Sequence, residues 1–113
     1  KKGKPILKFV CLNVLPDDIS LQFLKNILDK DPLCSYILIF HYNPLDSNLL
    51  DENTKDKLLK TIAGFHIVAI ISGHYQSSAV LSWKGYPVIL SGGDKLALCD
   101  YDHNSNTIQV EFK

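Results

Sequence analysis

A chain of 113 residues and 12.7 kDa holds one domain or part of a larger one. Apolar residues make up 46% and charged residues 21%, the composition of an ordinary globular domain. Twelve lysines balance twelve acids at a pI near 7.1, which argues against a nucleic-acid or membrane-surface partner.

Lys8 to Leu15 is an apolar run rich in strand formers and ended by Pro16, so a buried strand is expected there. Asp17, Asp18 and Ser20 then offer N-caps for a helix with an apolar stripe of Ile19, Phe23 and Ile27 beside Leu24 and Leu28. Asp29-Lys-Asp-Pro32 ends that helix. Tyr36 to Phe40 is uninterrupted and apolar, as in a central parallel strand, and His41 to Ser47 and Asn48 reads as a loop. Asp51 can cap a second helix through Leu58, Leu59 and Ile62, with Gly64 as the residue after its end. Ile67 to Ile71 is another central strand.

The order strand, helix, strand, helix, strand predicts an α/β core with right-handed crossovers. Ala79 to Trp83 and Tyr86 to Leu90 flank Lys84-Gly85, a hairpin turn. Leu96 to Cys99 and the alternating Thr107 to Phe112 complete what reads as an antiparallel meander. The expected fold class is therefore α/β with a mixed sheet, over a single domain spanning 1–113. The chain begins with Lys rather than Met, so a processed product that has lost a signal peptide, or a piece of a longer polypeptide, is expected. No run of eighteen apolar residues marks a transmembrane helix.

Cys11, Cys34 and Cys99 are too few and scattered for a disulfide framework or a thiolate zinc site. They read as small core side chains, with Cys34 the least buried. Their odd count points to a reducing, cytoplasmic setting. All twelve cations are lysines, so no bidentate arginine clamp is present for phosphate.

Two central strands end alike: Tyr36–Phe40 runs into His41, and Ile67–Ile71 runs through Ser72-Gly73 into His74. Ligands of open α/β sheets bind at the carboxyl ends of strands. If these strands are parallel neighbours, both imidazoles emerge at one edge. Gly73 would allow a sharp turn or a close ligand approach there, and Asn43 would add an amide oxygen. His66, at a strand start, belongs to the wrong edge, and His103 to a polar turn. Asn13 reads as structural.

His41-Tyr-Asn-Pro-Leu, followed by Ser72-Gly-His-Tyr-Gln76, resembles the C-terminal half of the calcineurin-like metallophosphoesterases. Ser20 to Leu28 is similar to a helix of that family, and Trp83 to Gly93 to its later strand pair. The resemblance implies the C-terminal half of a four-layer αββα fold and metal-dependent hydrolysis of phosphomono- or diesters. In that chemistry two divalent ions roughly 3.5–4 Å apart clamp the phosphate and activate a hydroxide. It further implies His41 and His74 as metal ligands, Asn43 and Gln76 as weak ligands or substrate contacts, and Mn, Zn or Fe as the metal.

The sequence departs from the family at Gln76, where the second His of Gly-His-x-His would stand, and it lacks the upstream acidic and Asn-His segments. Weak or absent metal binding and no hydrolysis by this chain alone are expected, with a phosphate ester as substrate once an N-terminal half completes the site. The alternative is a degenerate, non-catalytic member that serves as a protein-interaction module. A nucleotide-binding loop is disfavoured, because Leu15-Pro16-Asp17-Asp18 is acidic and lacks Gly. Ser72 is not in a Gly-x-Ser-x-Gly elbow. A half-domain would expose its first strand as a sheet edge and self-associate through it.

Overall fold

In the computed structural model, the described residues are 7–12, 17–41, 44–45, 51–73, 79–90, 97–102, 104–105 and 107–113. Nine elements follow in order: β1 (Leu7–Cys11), α1 (Asp18–Lys30), β2 (Ser35–Phe40), α2 (Glu52–Ile62), β3 (His66–Ser72), β4 (Ala79–Trp83), β5 (Tyr86–Leu90), β6 (Ala97–Asp102) and β7 (Thr107–Phe112). Five strands form one sheet in the order β1-β2-β3-β5-β4, with β1, β2, β3 and β5 parallel and β4 antiparallel. The α/β class and the mixed sheet expected from the sequence are present. Among the described residues no helix is long and apolar enough to cross a membrane.

Both helices begin where a carboxylate can cap them. Asp17 accepts from Ser20 N at 2.8 Å and Asp51 from Thr54 N at 2.8 Å, each relieving an amide that the first turn leaves unpaired. The second helix ends at Ala63, and Gly64 follows with φ 87°, a left-handed conformation that costs glycine little. The first helix ends over Tyr36. Its buried phenol donates to the Asp31 carbonyl at 2.7 Å, which also accepts from Cys34 N at 3.3 Å, and lies 3.4 Å from the Ile27 carbonyl, the acceptor of Asp31 N. Lys8 Nζ sits 2.6 Å from Asp31 Oδ2 beside it.

The crossovers place both helices on one face of the sheet. There Leu21, Leu24, Leu28, Leu58 and Ile62 pack on Val10, Leu38, Phe40, Ile70, Val88 and Leu90, and Trp83 closes the far end. The inward stripe of α1 differs from the expected one. Ser20, Leu21, Leu24 and Leu28 are buried, whereas Ile19 and Phe23 are exposed. Two overlapping i, i+4 series fit this sequence, and the sheet takes the one displaced by one residue.

The C-terminal third is not one meander. β4 and β5 form a hairpin inside the main sheet, turning at Lys84 (φ 52°) and Gly85 (φ 88°) as a primed two-residue turn requires. β6 and β7 leave the sheet as a separate antiparallel pair. Tyr101, Ile108 and Val110 of that pair pack on Ile37, Val68, Ala69 and Ile89, the face opposite the helices. The alternation of β7 follows: every second residue is half-buried and the others face water. The molecule is thus layered as helices, five-stranded sheet and two-stranded sheet.

β1 is an edge strand, as the sequence reading expected. Two further expectations are corrected. β1 is not a buried strand, since Phe9 and Cys11 are exposed. The cysteines are not core residues: Cys11 and Cys99 are exposed and Cys34 is intermediate. Apolar neighbours in sequence do not bury a thiol that points outward from a sheet edge or from an outer hairpin.

Candidate functional site

The carboxyl ends of β2 and β3 are brought together by register. A shift between Tyr36 and Ile37 slips the two strands so that Phe40 lies opposite Ser72. The residues that follow, His41 and Gly73, therefore meet side by side. Gly73 N donates to the His41 carbonyl at 3.1 Å. A side chain at Gly73 would start 3.5 Å from His41 Nδ1 and 3.9 Å from Cε1, so the imidazole lies against the bare glycine backbone. The sequence suggested that Gly73 permits a sharp turn. Its φ is outside the left-handed region, and a Cβ there would meet the ring at ordinary van der Waals distance.

A groove of about 330 Å³ opens at this edge, lined among others by Cys11, Ile39, His41, Ile71, Ser72 and Gly73. Leu12 N, donating to the Ile39 carbonyl at 2.8 Å, carries the β1 side of it past the last ladder pair. Ser72, on the helix side of β3 between Phe40 and Leu90, is 2% exposed, and among the described residues its Oγ has no hydrogen-bond partner. An orphaned hydroxyl costs about 1–3 kcal/mol. The sequence reading weighed Ser72 only as a nucleophile and placed Cys11 in the core, whereas both line this groove. The polar residue closing an otherwise apolar strand was the available signal for Ser72.

Of the expected site residues, His41 is where the strand-end reasoning put it. His74, Asn43 and Gln76 lie outside the described residues, as do Asn13 and His103. His66 is the first residue of β3 and exposed, at the opposite end from the groove. A larger groove, of about 450 Å³, runs between the helices past Asp18, Lys25, Lys57 and Lys60. Its lysines are surface groups, Lys57 paired with Asp18 at 3.0 Å and Lys25 with Asp29 at 3.2 Å. It contains no buried polar group in search of a partner, so the smaller strand-end groove is the better site.

Among the described residues no three His, Cys, Asp or Glu side chains cluster as a metal would need. His41 is one imidazole, and His74 follows Gly73 directly in the chain. Compared with known proteins, the chain matches no family model, and no curated protein matches it.

Proposed function

We propose that this chain is the C-terminal part of a metal-dependent phosphoesterase of the calcineurin-like kind, supplying His41 and His74 to a site that other protein groups complete. The observation supporting this is the seating of His41 against Gly73 at the carboxyl edge of two parallel strands, the residue before His74. A metal bound there would polarise a phosphate ester and lower the pKa of a bound water. His41 and His74 are the residues that would hold it. Two imidazoles without a carboxylate bind such an ion weakly, so no turnover of phosphate esters is expected from the 113 residues alone. The absence of Arg is compatible with this chemistry, since metal ions replace a guanidinium clamp.

A second reading is a degenerate, non-catalytic member that acts as an interaction module. Gln76 favours it, because a neutral amide oxygen is a poor replacement for imidazole on Mn, Zn or Fe. Calorimetric titration with Zn²⁺ and Mn²⁺ separates the two. Under the first reading the chain binds weakly, and His41→Ala and His74→Ala each abolish the binding heat. If the heats are the same in all three proteins, the metal site is wrong and the second reading stands.

A further inference from the structure

We draw no further inference here: the strongest candidate, the exposed Cys11 thiol that shares the groove at the carboxyl ends of β1, β2 and β3 with His41, is a lone cysteine that belongs to the site already described, and nothing in the structure shows what ligand it would hold there.

Discussion

The two ends of the parallel strands are built from similar residues and treated differently. At the amino end, Tyr36, Lys8 and Asp31 satisfy one another and the last carbonyls of α1, and His66 sits exposed on the rim. At the carboxyl end, a buried Ser72 hydroxyl has no hydrogen bond among the described residues, and the exposed His41 imidazole lies beside the Gly73 backbone. The first end pairs its polar groups with one another, whereas the second sets Ser72 and His41 beside a groove. His41 and His66 are both exposed, so that asymmetry, more than the presence of a histidine, marks the carboxyl end as the candidate site.

The largest break in this comparison is expected at the amino end. Tyr36→Phe keeps the ring and deletes one of two hydrogen bonds to the Asp31 carbonyl, so denaturant unfolding should show a loss of about 0.5–1.5 kcal/mol. At the carboxyl end the sign reverses. Ser72→Ala removes a buried hydroxyl with nothing to bond, and stability should hold or rise by up to about 1 kcal/mol. A loss above that would mean the hydroxyl is satisfied in solution and the asymmetry is smaller than drawn.

A third difference is legible in pH. The hydrogen bond from Lys8, and its charge, hold the Asp31 carboxyl below its ordinary value, and the same bond raises Lys8 against a smaller opposing effect of desolvation. Asp31 therefore contributes stability above the ordinary carboxylate range and loses it as pH falls through the depressed value. Lys8 contributes below the ordinary lysine range and loses it as pH rises through the raised one. The pair is exposed, so the effect is small. The melting curves of wild type and Asp31→Asn should differ modestly at neutral pH and converge in acid; a gap that persists in acid would mean that the lost ion pair is not its cause.

The parts of the fold readable in the sequence were those where burial leaves a continuous mark. Tyr36 to Phe40 and Ile67 to Ile71 are covered on both faces and carry no polar interruption. Thr107 to Phe112 alternates because one face is wet. Period alone did not settle α1, since Ile19 and Phe23 fit a stripe as well as Ser20, Leu24 and Leu28 do; the exposed pair lies at the open edge of β1. Nor did alternation show that β6 and β7 leave the sheet, because pairing partners are not written in one strand's pattern. For the site, strand-end logic placed His41. The contact of its ring with Gly73 depends on the register slip at Tyr36 and Ile37, which no local motif announces.

That contact supplies the finest test. A Cβ at Gly73 would meet His41 Nδ1 at 3.5 Å, an ordinary van der Waals distance, and the backbone there is not left-handed. Gly73→Ala should thus leave stability within about 0.5 kcal/mol of wild type and the His41 ring in place. Gly73→Val adds two methyl groups where the ring lies. The imidazole must then move while the core beneath, held by Phe40, Ile70 and Leu90, is untouched. The expected outcome is a shifted His41 Cε1–H resonance in the valine variant, an unshifted one in the alanine variant, and a wild-type-like unfolding midpoint in both. If valine leaves the resonance where it was, the ring is not seated on Gly73.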